Sequence, residues 1–382
     1  MDHQSFLVSV LESHWATDMS KPVVAILVGT RPEIIKVAPV IRQLKKRTIP
    51  FIFIHSNQHY TKELDETILS DLKLDRPDYQ LRVGSGTHAV QTGKIMERVE
   101  KICFQKKVSI LVVHGDTNTT LAGALTAKKL QIMVCHIEAG LRSFDYRMPE
   151  EINRIITDRI SDVLFAPTLI AQQNLINEGI RSESIIVTGN TVVDALRQHQ
   201  KMARKRHTFK HLSVKPGQYL LLTMHRAENV DDKGKFIKLL ELITYISKRL
   251  ALPVLWPIHP RSLKQLTQFD IIIPPEIIKI NAVGYLDMIQ LLSNASMILT
   301  DSGGIQEEAY ILKKPLITLR SSTERPETLS ANFVVDTDVD KVDQALQAFR
   351  ANTIKWGNEL GDGLASMRIA AKLEELLEQK EH

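Results

Sequence analysis

Residues 23–29 read VVAILVG, an apolar run closed by a glycine, and TRPEIIKVAPVIRQLKK (30–46) then returns to apolar positions every three or four residues. A short run apolar throughout is the pattern of a strand buried on both faces, and the three-to-four spacing is that of an amphipathic helix. Strand, tight loop and helix together open an α/β unit. FIFIHS (51–56), VSILVVHG (108–115), QIMVCHI (131–137) and VLFAPT (163–168) repeat the strand signal, each followed by polar or glycine-containing residues and a helical pattern. The rhythm pauses after GNTVVDALRQHQ (189–200), in a basic polar stretch that reaches Gly217. It restarts with QYLLLTMH (218–225), LPVLWPIH (252–259), ASMILTDSGG (295–304) and PLITLRS (315–321). Alternation of this kind predicts two α/β domains, each with a parallel sheet, over 21–200 and 210–362. A last amphipathic helix over 363–382 is expected to pack across the domain junction.

Composition narrows the classes. The 382 residues hold 49 Lys plus Arg against 44 Asp plus Glu, and a net charge of +5 spread over such a length gives a weak overall field. The basic run Lys201–Arg206 has no interleaved aromatic residues and reads as a linker, so no nucleic-acid partner is expected. Two cysteines, Cys103 and Cys135, make no disulfide framework. With no signal-type N-terminus and no apolar run of membrane length, the chain is expected to be cytoplasmic, without membrane insertion. Its histidines at 55, 59, 114, 136, 225 and 259 lack zinc spacing, so no metal is expected, and no cofactor.

Ligands of open parallel sheets gather beyond the C-terminal ends of the strands, which singles out the polar loops there. Gly29-Thr30-Arg31-Pro32-Glu33, with Lys36 a turn later, offers a guanidinium fork to a phosphate or carboxylate, although Arg31 pairing with Glu33 at the helix cap is the simpler reading of that pair. This loop is neither GxGxxG nor GxxxxGK[ST]. Ser302-Gly303-Gly304 lies between a strand and a helix, where free N–H groups would cradle an anion, and Glu308 could accept from sugar hydroxyls. Arg325 and His225 follow two further strands. Asp116, Glu138 and Glu150 are the acid and base candidates, and their convergence would raise at least one pKa by burial and mutual repulsion. For Glu150 the plainer alternative is an i,i+4 pair with Arg154.

GTRPEIIKVAP, VHGDTNTT, HIEAGLRS, MPEEINR, GNTVVDAL, MHRAEN, LTDSGGIQEEA and TERPE occur in this order along the chain. Over about residues 21–380 the sequence thereby resembles the non-hydrolysing UDP-N-acetylglucosamine 2-epimerases. The resemblance implies two Rossmann-like domains in a glycosyltransferase-B-like arrangement and a homodimer. It implies reversible inversion at C2 of the sugar of UDP-GlcNAc, giving UDP-ManNAc by elimination of UDP through 2-acetamidoglucal. Carried over motif by motif, Asp116, Glu138 and Glu150 form the acid/base cluster, Arg154 organises its charge, and His225 assists at the phosphates. Arg31 and Lys36 serve the sugar and phosphate end; Ser302, Gly303, Gly304, Glu308 and Arg325 serve UDP; Gly189 and Asn190 shape the hinge.

The sequence also departs from the family pattern. Thr61 stands where many relatives have a second glutamine after Gln58-His59, Ser85 where an arginine is common, and the familiar NPYGDG ending reads Asn358-Glu-Leu-Gly-Asp-Gly363. Gln58 and His259 are then remnants of a substrate-activation site, and strong activation by UDP-GlcNAc is not expected. Residues 1–20 lie outside the resemblance. Three other functions compete: a hydrolysing epimerase that releases free ManNAc, an epimerase of UDP-diacetamido sugar acids, and a noncatalytic nucleotide-sugar sensor.

Overall fold

The computed structural model describes residues 22–58 and 68–381. The N-terminal extension and positions 59 and 61 lie outside the described residues.

The first unit begins with β1 (Val23–Val28) and α1 (Arg31–Lys46), followed by β2 (Phe51–His55), β3 (Tyr79–Gln80) and α2 (His88–Lys106). It continues through β4 (Val108–His114), α3 (Asn118–Lys129), β5 (Met133–Ile137), α4 (Pro149–Ile160), β6 (Val163–Ala166), α5 (Leu169–Asn177), β7 (Ile185–Val187) and α6 (Thr191–Ala203). All seven strands are parallel, in the order β3-β2-β1-β4-β5-β6-β7. Because side chains alternate along a strand, β1 sends Val24, Ile26 and Val28 to one face and Ala25 and Leu27 to the other. The first face packs on α1, α6 and the final helix; the second packs on α2 and α3.

The second unit comprises β8 (Leu220–Thr223), α7 (Ala227–Val230), α8 (Lys233–Leu250), β9 (Val254–Pro257), α9 (Pro260–Phe269), β10 (Ile277–Ile280) and α10 (Tyr285–Asn294). After these come β11 (Met297–Thr300), α11 (Gly303–Ile311), β12 (Leu316–Thr318), β13 (Asn332–Val334) and α12 (Val339–Arg350). Its parallel order, β10-β9-β8-β11-β12-β13, is the doubly wound one, with the direction of winding reversing between β8 and β11. In the first sheet the reversal lies between β1 and β4. The loops after these four strands hold Gly29, Asp116, His225 and Ser302.

The four strands with no marked sequence signal are β3, β7, β10 and β13, which are the edges of the two sheets. An edge strand has one neighbour and needs less continuous apolar surface, so its pattern is short and mixed.

The final helix, α13 (Ala365–Glu381), returns to the first unit, where Ile369, Leu373 and Leu376 join the core formed by α1 and α6. Tyr285, Leu286 and Ile289 of α10 belong to the same core, so the two units share packed side chains. At the crossing, Asn190 N donates to Leu360 O at 2.8 Å. Gly361 sits at φ +109°, and a Cβ there would lie 2.9 Å from the Gly189 Cα, so this close approach and backbone conformation both require glycine. No helix among the described residues is long and apolar enough to cross a membrane.

Candidate active site

The cleft between the two units is built from the ends of β1, β4, β5, β8 and β11. After β1, Glu33 turns back to cap α1: its Oε2 accepts from Gly29 N at 2.9 Å and Thr30 N at 2.7 Å, and its Oε1 from Thr117 Oγ1 at 2.9 Å. Burial raises the Glu33 pKa, only partly offset by His114 and these hydrogen bonds. The Arg31–Glu33 cap pair does not form. Arg31 is exposed and has no hydrogen-bond or ion-pair partner among the described residues. Its charge reaches across the cleft to His259.

One turn along α1, Lys36 enters a buried array of alternating charge. Its Nζ lies 2.7 Å from Glu138 Oε2 and 3.0 Å from Glu307 Oε2. Arg325 closes the ring from the second unit, with Nη2 3.0 Å from Glu138 Oε1 and Nε 2.6 Å from Glu307 Oε1. Asn190, the N-cap of α6, adds a bond to Glu307 Oε1 at 2.9 Å. His114 Nε2 is 3.2 Å from Glu138 Oε2. Burial alone would raise the Glu138 pKa, but Lys36, His114 and Arg325 outweigh it and hold the carboxyl well below the usual range. The expectation that crowding raises a pKa among the three candidate carboxylates is therefore corrected for Glu138: the cations beside it exceed the carboxylates. The raised acids are Glu33 and Glu308 instead.

Asp116 is half-buried, with Oδ2 2.5 Å from Arg154 Nη2. Arg154 Nη1 also binds Glu151 Oε2 at 2.5 Å, so the i,i+4 pair with Glu150 is not the one the helix forms. Glu151 is occupied as an anchor, accepting from the backbone N–H groups of Ser143 and Phe144. Glu150 has no partner among the described residues and is free for other chemistry. Asp116 and Glu138 both act on the charge of Arg325.

In the second unit Asp301 is buried beneath the loop after β8, where its Oδ2 accepts from His225 N at 2.9 Å and Arg226 N at 2.8 Å. This fixes the backbone from which the His225 ring projects, and the ring centroid is 4.9 Å from that of His259. Burial, partly offset by Asp301, lowers the His225 pKa. Partial burial, then His225 and Arg31, push His259 down to about 4. His259 Nδ1 also accepts from Arg261 N at 3.2 Å, capping α9. Two neutral imidazoles and Arg31 thus face one another close to the start of α11, where N–H groups and the helix dipole favour an anion. Gly303 is required at that start because a Cβ would lie 2.7 Å from Glu324 Oε1.

Glu308 is buried to the same degree as Glu138. Burial, then Glu307, pushes its pKa up to about 8, and the Tyr285 hydroxyl is beside it. Gln58 is tied to the start of α3: its Oε1 accepts from Thr119 Oγ1 at 2.8 Å and from Thr119 N at 3.2 Å.

His114, Asn190 as a ligand of Glu307, and Glu307 itself are site residues that the motifs did not single out. Helical phase was the available signal for Glu307, which stands four residues after Gly303 on the same face, as Glu308 stands after Gly304.

Residues 42–374 match the family description UDP-N-acetylglucosamine 2-epimerase. The chain belongs to that family. The UDP-N-acetylglucosamine 2-epimerase of Methanocaldococcus jannaschii is 48% identical over 354 residues, covering 90% of this chain and 97% of the relative. A crystal structure of the M. jannaschii UDP-GlcNAc 2-epimerase in complex with UDP-GlcNAc and UDP aligns with a TM-score of 0.87 at 47% identity, over 92% of this chain and 99% of the other. The UDP-2,3-diacetamido-2,3-dideoxy-D-glucuronate 2-epimerase of Pseudomonas aeruginosa is 38% identical over 354 residues, covering 92% and 99%. The resemblance carried by the motifs and the two-Rossmann-domain fold class are both borne out. As an epimerase of this family, the chain places Lys36 and Glu138 of the first unit against Glu307 and Arg325 of the second. Among the described residues no group of three or more His, Cys, Asp or Glu is arranged to hold a metal ion.

Proposed function

We propose that the chain interconverts UDP-N-acetylglucosamine and UDP-N-acetylmannosamine by inversion at C2, without hydrolysis. The carrying observation is the buried Lys36–Glu138–Arg325–Glu307 array beside an anion-binding helix start, in a chain of this family. The diphosphate binds at Ser302, Gly303 and Gly304 with Arg31 and His225, and Lys36 and Arg325 complete the charge balance at the sugar. One carboxylate of the Asp116, Glu138 and Glu150 set removes the C2 proton; the C–H electron pair forms the C1–C2 double bond and the C1–O pair leaves with UDP. UDP then adds back to 2-acetamidoglucal while another acid of the set delivers a proton to the opposite face of C2. Arg154, bound to Asp116, sets that carboxylate's charge and direction.

UDP-GlcNAc is preferred over a diacetamido sugar acid because identity to the M. jannaschii enzyme exceeds that to the P. aeruginosa one by ten percentage points. The test is incubation with each UDP-sugar in deuterated water. UDP-ManNAc carrying deuterium at C2 is the expected product. Free ManNAc, or turnover of the sugar acid alone, overturns the reading, and binding without turnover identifies a sensor. The functional unit is proposed to be a cytoplasmic homodimer; light scattering should give twice the chain mass.

A further inference from the structure

His136 belongs to none of the groups assigned above, yet it is fully buried on β5 and bonded at both ring nitrogens. Its Nε2 lies 2.8 Å from the carbonyl oxygen of Gly115, and its Nδ1 lies 2.7 Å from Asp158 Oδ1. A peptide carbonyl only accepts, so Nε2 carries a proton. Asp158 is ionised: burial opposes its charge, but His136 and Arg142 outweigh burial and lower its pKa. The other Asp158 oxygen accepts from Arg142 Nη1 at 2.8 Å and Gly140 N at 3.1 Å. The ring thus bridges the Gly115 peptide and the Asp158 carboxylate. Behind this pair, Arg142 is balanced by Glu178 at 2.7 Å.

Gly115, which the ring holds, stands at φ +70° and directly precedes Asp116. The Asp116 carbonyl accepts from Asn153 Nδ2 at 2.8 Å, and its carboxylate from Arg154. Asn153, Arg154 and Asp158 all project from α4, whose first turn carries Glu150. Every side-chain bond described here on the Gly115–Asp116 segment thus comes from one helix, two of them directly and one through His136. An apolar side chain would leave the buried Gly115 carbonyl and Asp158 Oδ1 without this partner, so the histidine does more than fill space.

We propose that His136 is a positioning residue: held by Asp158, it fixes the Gly115 peptide and so aims the Asp116 carboxylate from the same helix that carries Glu150. The assignment rests on the acid/base role proposed for Asp116. In the full-length protein labelled with 15N-histidine, the His136 ring resonances, identified by their loss in His136→Gln, should show Nε2 in its N–H form. An Nε2 of the unprotonated type overturns the proposal. This arm needs no turnover, so it decides the state of His136 even if the epimerase reading fails in the deuterium assay.

The kinetic arm uses His136→Gln, which keeps a donor toward Gly115, and His136→Leu, which keeps none. For Gln we expect kcat down about tenfold and for Leu about a hundredfold, with KM for UDP-GlcNAc within about threefold in both. In an Asp116→Asn background His136→Gln should cost nothing further, because the ring acts through Asp116. Equal loss in Gln and Leu, a change in KM alone, or an undiminished cost in the Asn background each overturns the proposal. The Gln cycle stands alone should the Leu variant fail to fold.

Discussion

Glu138 sits between two cations and a histidine, so it is ionised and its lone pairs are occupied. To act on C2–H in the proposed reaction it must exchange one of those partners for substrate. Glu138→Gln should lower kcat about 10²- to 10⁴-fold and suppress deuterium exchange at C2 while UDP still binds, measured by single-turnover NMR and calorimetry. The His225–His259 pair makes a second prediction. Both pKa values are depressed, chiefly by burial, and an arriving diphosphate favours the charged rings. UDP binding should therefore take up protons between about pH 4 and 6.5, seen as a binding enthalpy that changes with the ionisation enthalpy of the buffer. Asp301 was legible only as a member of the DSGG motif. Its role under the His225 loop depends on a contact between β8 and β11, which lie far apart in sequence and side by side in the sheet.

At the scale of elements, the proposed anion site is the start of α11, which Ser302 precedes and Gly303 opens. Gly303→Ala puts a methyl group into Glu324, a carboxylate held by Arg320 at 2.7 Å and unable to move freely. We expect about 1–3 kcal/mol of lost stability, with weaker UDP binding, readable by urea unfolding and by calorimetry. α1 shows the converse in part: Thr30 and Glu33 three residues apart carry the spacing of the capping box that forms, with Pro32 in the first turn and Lys45-Lys46 in the last, although the Arg31–Glu33 pair weighed for that cap does not form. Central strands were equally legible, because burial on both faces makes them apolar throughout. The edge strands β3, β7, β10 and β13 were not, since what makes them strands is the partner beside them. For α4 the spacing Glu150–Arg154 pointed to the wrong acid. Arg154 turned toward Asp116 and took Glu151, which no local rule could decide.

Across the whole molecule, the two units meet through charges: Lys36 on Glu307, Arg325 on Glu138, Asn190 on Glu307 and Thr168 on Glu327. Glu308 lies behind this seam and links it to pH. Folded, it keeps its proton to about pH 8; its ordinary value is 4.5. The folded state thus holds more protons throughout that window, so stability falls as pH rises from 4.5 to 8 and levels off above it. Glu308→Gln, which is neutral throughout, should remove this fall. Its advantage over the parent at pH 8.5, about 2–4 kcal/mol by urea unfolding, should vanish near pH 4.5. By itself the sequence determined the doubly wound class, the two units, the family motifs and the loops that carry the chemistry, because those follow from periodicity and from residue types a few positions apart. Only the tertiary structure decided which charges pair. Lys36 and Glu307 are separated by most of the chain and meet in a low-dielectric seam, where partnership is set by burial and distance rather than by spacing. Lys36, His114 and Arg325 depress Glu138, while burial beside Glu307 elevates Glu308, and no local pattern encodes which carboxylate receives the cations.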